Sequence, residues 1–377
     1  MTLFRTAVAV AALLAATTTA AIAAPAVDKQ VKVAPGGLYQ LVYNPGDKSV
    51  YVAATGQRAA NNAAVVKLDA VTLQKTGSID VAANPVYGLG INTKTQTLYG
   101  TDTRSGAVVV LDIKSGKQVA TVKSPDGSAA HLREVVVDEA SNKVYVSIVG
   151  GGERGQADPA SNVVWVIDGA KNALERVITV PTTRQTGLAV DSANKRIFTT
   201  GMGANEVIAV SLTDDKIIGR YPSGGESPIS VAVDSAGKRL FVANQGSGEL
   251  SVLNADTGAL IKKVPTGAGA LGVAYSARSN LVYVTNRQAG TVSVVNGKDY
   301  TVAQLDAGTL PQSVVVDAQS GRAFATNKAR GLPRGAGAPG GQRPGGAGGP
   351  PPAAVPAGPP PAPPEDPEGD TLTAINP

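Results

Sequence analysis

His131 is the one histidine of the chain, and it stands in Ala130-His131-Leu132-Arg133-Glu134, directly before the apolar run VVVD. An imidazole, a guanidinium and a carboxylate this close together can bind an anion or divide acid and base work between them. In an extended chain, Arg133 and Glu134 project to opposite sides, which fits equally a surface histidine in a loop beside a strand. Other reactive groups are few. With no cysteine and one histidine there is no thiol nucleophile and no multi-histidine metal site, and no carboxylate cluster compensates. No G-x-S-x-G elbow is present. The glycines of VGGGERG (149–155) are not followed by Lys-Ser/Thr or by a helical pattern, so they do not form a phosphate loop. The expectation is no catalytic residue, no metal and no cofactor.

The elements that would position His131 and its neighbours come from a repeat. Seven segments carry an aromatic residue in an apolar run that ends in small polar residues: VYVAAT (50–55), LYGTDT (98–103), VYVSIV (144–149), IFTTGM (197–202), LFVANQ (240–245), VYVTNR (282–287) and AFATNK (323–328). The anchors Tyr51, Tyr99, Tyr145, Phe198, Phe241, Tyr283 and Phe324 are 41 to 53 residues apart, the spacing of propeller blades. An apolar run precedes each anchor run (GLAVD, 187–191; SVAVD, 230–234) and two more follow it (LSVLN, 250–254; LIKKVPT, 260–266). That makes four strands per unit, called a to d. Glycine, asparagine, aspartate and serine fill the turns, as tight antiparallel connections require. The runs are apolar on both alternations, as in a sheet buried on both faces.

The pattern resembles the YVTN-repeat family of seven-bladed β-propellers, including its YncE-like members. VYVTN (282–286) is the name motif itself, and FVAN (241–244) and FATN (324–327) are close variants. The resemblance covers the chain beyond its N-terminal segment and implies an all-β, seven-bladed propeller of four-stranded antiparallel blades. In that fold the d–a junctions place one residue per blade at the channel mouth: Tyr39, Tyr87, Arg133, Thr186, Ile229, Leu271 and Gln312. The set holds aromatic, cationic, polar and aliphatic groups but no carboxylate pair, so it suits binding. The candidate ligand- or partner-binding residues are Tyr39, Tyr87, His131, Arg133, Glu134, Thr186 and Gln312, with Tyr39 and Tyr87 as stacking aromatics. Trp165, within a strand c, is assigned to the core. Asn244, Asn286 and Asn327 are expected to bond turn backbone, and Asp69, Asp112 and Asp168 read as turn residues.

The last unit has strands a, b and c (DTLTAIN, 370–376) but no d. DKQVKVAPGG (28–37) matches a strand-d-to-a junction, so the N-terminal strand should complete the last blade and close the ring. Between b and c of that blade lies an insert, 331–369, in which 24 of 39 residues are Gly or Pro. Such a segment cannot bury a core and is expected to be disordered or polyproline-like. A functional tether or ligand for a Pro-binding partner and a tolerated insertion both remain open. Long b–c loops at 55–63 and 150–162 and this insert should decorate the same face as the d–a junctions.

Residues 1–23 carry Arg5, an apolar run from Ala7 to Ala16 and Ala21-Ile22-Ala23, the pattern of a signal peptide, with Ala24-Pro25-Ala26 a second cleavage site that stays open. The expected product is a propeller over 24–377, periplasmic or secreted, with no membrane span after cleavage. Without cysteine it must rely on its core. The formal charge of +5 falls to +4 when Arg5 leaves. So small an excess argues little for nucleic acid. The leading expectation is a monomeric, non-catalytic binding or scaffold propeller recognising an envelope protein, glycan or small ligand on its loop-rich face. A lactonase-like enzyme and a single-stranded nucleic-acid binder are the alternatives.

Overall fold

A computed structural model describes residues 24–57, 60–124, 127, 130–149, 162–330 and 366–377. The expected signal peptide, nearly all of the 150–162 loop and most of the 331–369 insert lie outside the described residues. The described chain forms seven four-stranded sheets, with every pairing antiparallel, as in Leu38–Asn44 against Ser49–Ala54. The a strands touch one another around a ring that closes from the seventh blade to the first. Strands b and c are buried along their lengths, as in Ser49–Ala54 and Ala107–Asp112. Strand d, outermost, is mostly exposed, as in Lys75–Asp80, where Ile79 is the buried residue.

The core lies between blades. All seven anchor aromatics are 2% exposed or less, and each packs into the next sheet. Tyr51 joins Leu89, Leu98 and Val109 of the second blade, Phe241 joins Val273, Val282 and Val284 of the sixth, and Phe324 joins Leu41, Val50 and Val52 of the first. A large aromatic buried this way is worth about 3–5 kcal/mol against alanine. Trp165 is 3% exposed in the same kind of cluster.

The ring closes as expected. Strand Ala26–Lys32 pairs with Thr371–Asn376, with Gln30 opposite Thr373. The Asp370 carboxylate accepts from the Gly37 and Ala329 N–H groups at 2.8 and 3.2 Å, tying the start of the first blade to both ends of the last. The Arg330 N–H donates to Asp366 at 3.1 Å, so the two described flanks of the insert meet at the end of strand b. Residues 366–369, counted with the insert from composition, are instead a turn held to the blade: Asp366 also accepts from the Thr309 hydroxyl at 3.1 Å.

Asp69, Asp112 and Asp168 accept backbone N–H groups in their own turns. Asn244, Asn286 and Asn327 differ from expectation: their amides donate mainly to strand c hydroxyls, Ser251, Ser293 and Thr373, at 2.8 to 2.9 Å. These side chains are fully buried, and the hydroxyl at hand takes up the amide N–H, while each Oδ1 is left without a hydrogen-bond partner among the described residues.

Candidate functional site

Strand registers put the start of a, the end of b, the start of c and the end of d at one end of each blade: Leu38, Ala54, Ala64 and Asp80 stand in line. This end carries the d–a junctions and b–c loops together. Strand a enters the sheet irregularly there. In six blades its register slips near the start, between Leu38 and Leu41, Leu132 and Val135, Gln185 and Leu188, Pro228 and Ser230, Ala270 and Val273, and Pro311 and Ser313. The unpaired residues are Tyr39, Arg133, Thr186, Ile229, Leu271 and Gln312 with some of their neighbours. A bulge re-aims a side chain, and here it happens at the channel. The repeat mends its own bulge through a strand b hydroxyl. Thr285 accepts from the Gly272 N–H at 2.8 Å, Thr200 from Gly187 at 2.7 Å, and Ser147 from Glu134 at 3.0 Å. Strand b hydroxyls also reach onward: Ser147 donates to the Thr186 carbonyl of the next blade at 2.8 Å, and Thr326, in the last blade, to the Tyr39 carbonyl of the first at 2.6 Å.

A second ring is fastened to the first. Gly37, Arg184, Ser227, Gly269 and Leu310, each directly before a strand a, have positive φ. Their carbonyls accept from the residue directly after strand b, namely Thr55, Met202, Gln245, Arg287 and Lys328, at 2.9 to 3.2 Å. The left-handed turn thus aims Arg184 at the channel and holds Arg287 beside it. Arginine is rare in that conformation.

The two rings enclose a cavity of about 530 Å³ lined by Tyr39, Gln40, Tyr87, Thr103, His131, Arg133, Glu134, Arg184, Met202, Ile229, Gln245, Leu271, Arg287 and Gln312, among others. Three guanidiniums meet there. Burial lowers the Arg133 pKa, Glu134 pulls it back up, and Arg184 and Arg287 lower it again by repulsion. The Arg287 Nε is buried and has no hydrogen-bond partner among the described residues. Burial pushes the Glu134 carboxyl above the ordinary range, against the opposing pull of Arg133 and a hydrogen bond from Gln40. Burial, then Arg133, hold His131 below the ordinary histidine value. On one side Tyr39 and Tyr87 meet edge to face with centroids 4.8 Å apart. Lys328 lies 4.1 Å over the Tyr39 ring, and the Arg104 Nε donates to the Tyr87 hydroxyl at 3.0 Å. The mouth is cationic and aromatic. Among the described residues no group of three His, Cys, Asp or Glu side chains could hold a metal ion.

Comparison with known proteins agrees with this fold. A family model described as "Lactonase, 7-bladed beta-propeller" matches residues 148–266. The chain is 30% identical over 293 residues to the "Uncharacterized protein YncE" of Salmonella typhi, a match covering 75% of this chain and 80% of that one. It is 32% identical over 203 residues to the protein of the same name from Escherichia coli strain K12, covering 52% of this chain and 54% of that one. The chain belongs to the YncE family of seven-bladed propellers.

Within this YncE-family ring, six of the seven candidates named from sequence line the cavity: Tyr39, Tyr87, His131, Arg133, Glu134 and Gln312. Thr186 does not. It is 4% exposed, and its hydroxyl is shared with Thr200 at 2.8 Å and donated to the Pro228 carbonyl at 3.2 Å. Its short side chain is taken up in joining two blades. Sequence reading missed Arg184, Met202, Gln245 and Arg287. The signal was one position past the repeat motif, where VYVTN is followed by Arg287, LFVAN by Gln245 and IFTTG by Met202. The same residue type would recur there if its role were scaffolding. The small net charge also concealed how the cations are distributed.

Proposed function

We propose that this YncE-family chain is a non-catalytic binding propeller, exported by its N-terminal segment, that takes an anionic ligand in the channel mouth. The convergence of Arg133, Arg184 and Arg287 around one cavity carries this reading. Like charges held together in a confined space oppose folding, and an anion relieves that cost. Among the described residues of the lining, Glu134 is the one carboxylate, set against three guanidiniums. Guanidiniums recognise carboxylate and phosphate through paired N–H donors. The test is calorimetric titration of small carboxylate and phosphate anions into wild type and into Arg133→Gln, Arg184→Gln and Arg287→Gln. Each substitution should weaken binding about tenfold or more. Failure of every anion to bind would contradict the reading.

A second reading, single-stranded nucleic acid, is supported by the Tyr39–Tyr87 pair flanked by Lys328 and Arg104, since bases stack on aromatics beside cations. The lactonase-like reading has less support. His131 and Glu134, the acid–base groups of the cavity, lie outside the segment that the lactonase description matches, and Glu134 is already engaged by Gln40.

A further inference from the structure

A second space lies beside the channel cavity. An open groove of about 520 Å³ crosses the junction of the fifth and sixth blades on the same face, and Gln245 lines both spaces. Each is the size of a small-ligand site. The two differ in chemistry. Among the described residues the groove lining contains no charged side chain; it is formed by Gly246, Ser247, Gly248, Gly267, Gln288 and Gln304 with a few neighbours. Its walls are backbone brought close together. Gly248 and Gly267 have φ of +66° and +154°, and a Cβ on Gly248 would sit 2.9 Å from the Gly267 carbonyl oxygen. A floor of bare peptide groups, a hydroxyl and side-chain amides offers donors and acceptors in quantity and nothing to neutralise charge.

This arrangement constrains what can occupy both spaces together. The ligand needs negative charge at one end, among the guanidiniums, and uncharged hydrogen-bonding groups along the rest. A nucleic-acid strand carries a charge at every phosphate and binds through cations that follow its backbone, which the groove lining does not supply. Sugar hydroxyls are both donors and acceptors and suit amides and peptide groups.

We propose that the occupant is a linear oligosaccharide bearing one acidic sugar, its carboxylate held by Arg133, Arg184 and Arg287 and its neutral sugars laid along the groove past Gln245 and Gln288. The inference rests on the anion-binding reading and names its ligand class. Because only the charged end is neutralised, chain length adds affinity through the groove and charge adds it through the channel, and the two contributions separate by substitution.

The experiment is calorimetric titration of the full chain with four probes: glucuronic acid, xylotriose, xylotriose bearing one glucuronic acid, and a single-stranded oligonucleotide. The acidic oligosaccharide should bind about tenfold or more tightly than either of its parts, the effect of a few added hydrogen bonds. Arg287→Gln should weaken both glucuronic acid and the acidic oligosaccharide. Gln288→Ala, an exposed change, should weaken the oligosaccharide alone. If the oligonucleotide binds in an Arg287-dependent way and the acidic oligosaccharide binds no better than glucuronic acid, the glycan inference fails and the anion reading stands. If no anionic probe binds, both fail.

Discussion

The side-chain amide of Gln40, in the first blade, donates to the Glu134 carboxylate of the third blade and accepts from the Leu89 N–H of the second at 2.9 Å. Three consecutive blades are joined at the mouth by one glutamine. The bridge exists because Gly88 lies beneath it: a Cβ there would sit 2.5 Å from Thr101 Oγ1 and 3.0 Å from both the Arg133 carbonyl and Gln40 Oε1. Gly88→Ala should therefore displace Gln40 and lower stability by about 1–3 kcal/mol, the usual cost of overpacking. Thermal unfolding measures it, and an unchanged midpoint would count against the bridge.

Glu134 gives a pH signature. Burial raises its pKa above 4.5 in the folded chain, with Arg133 and Gln40 opposing. The native state then holds this proton more tightly than the unfolded state, so stability is lost as pH rises from about 4.5 through the raised value. Glu134→Gln keeps the acceptor for Gln40 and removes the titration. The variant should lack that loss, and at neutral pH should bind anions several-fold more tightly, because a repelling carboxylate is gone. Unfolding midpoints at acid and neutral pH, with a titration at neutral pH, check both parts.

His131 acts with the opposite sign. Burial and Arg133 hold its pKa below 6.5, so the unfolded state takes up the proton first and stability is lost as pH falls below 6.5. Once protonated, His131 adds a cation to the mouth already formed by Arg133, Arg184 and Arg287, beside Glu134. Anion affinity should rise on acidification more steeply in wild type than in His131→Gln. Parallel affinity–pH curves for the two proteins would remove His131 from the site.

Ring closure predicts a graded pair of effects. Asp370→Ala loses the acceptor for Gly37 and Ala329 and should cost about 1–3 kcal/mol. Deleting residues 370–377 removes Leu372, Ala374 and Ile375, all fully buried, and exposes the edge of the last blade. That deletion should leave little folded protein at 37 °C. An unchanged unfolding midpoint after deletion would refute the closure.

The fold was legible because it repeats. Tyr51 and its six counterparts mark the same position in every blade, and the N-terminal strand, Ala26–Lys32, completes the one blade that lacks a strand d. The site was half legible for the same reason. Tyr39, Arg133 and Gln312 sit at a position that strand alignment identifies, and the bulges that turn them into the channel recur with the repeat. Arg184 and Arg287 stayed hidden because they lie one residue outside the strands, and their direction is set by a left-handed turn and its hydrogen bond. Thr186 occupies an aligned position, yet Thr200 and the Pro228 carbonyl draw its hydroxyl inward. Alignment gives the position, but neighbours decide whether the side chain faces the cavity.

On the proposed reading, Arg133, Arg184 and Arg287 form one anion site. The direct measurement is calorimetric titration of an anionic probe, glucuronic acid or inorganic phosphate, into wild type and into the triple variant Arg133→Gln/Arg184→Gln/Arg287→Gln, with unfolding midpoints of both unliganded proteins. Wild type should bind. The variant should bind at least about a hundredfold more weakly, while its unliganded midpoint holds or rises because like-charge repulsion is gone. Equal affinity in the two proteins, or no binding by wild type, would contradict the account.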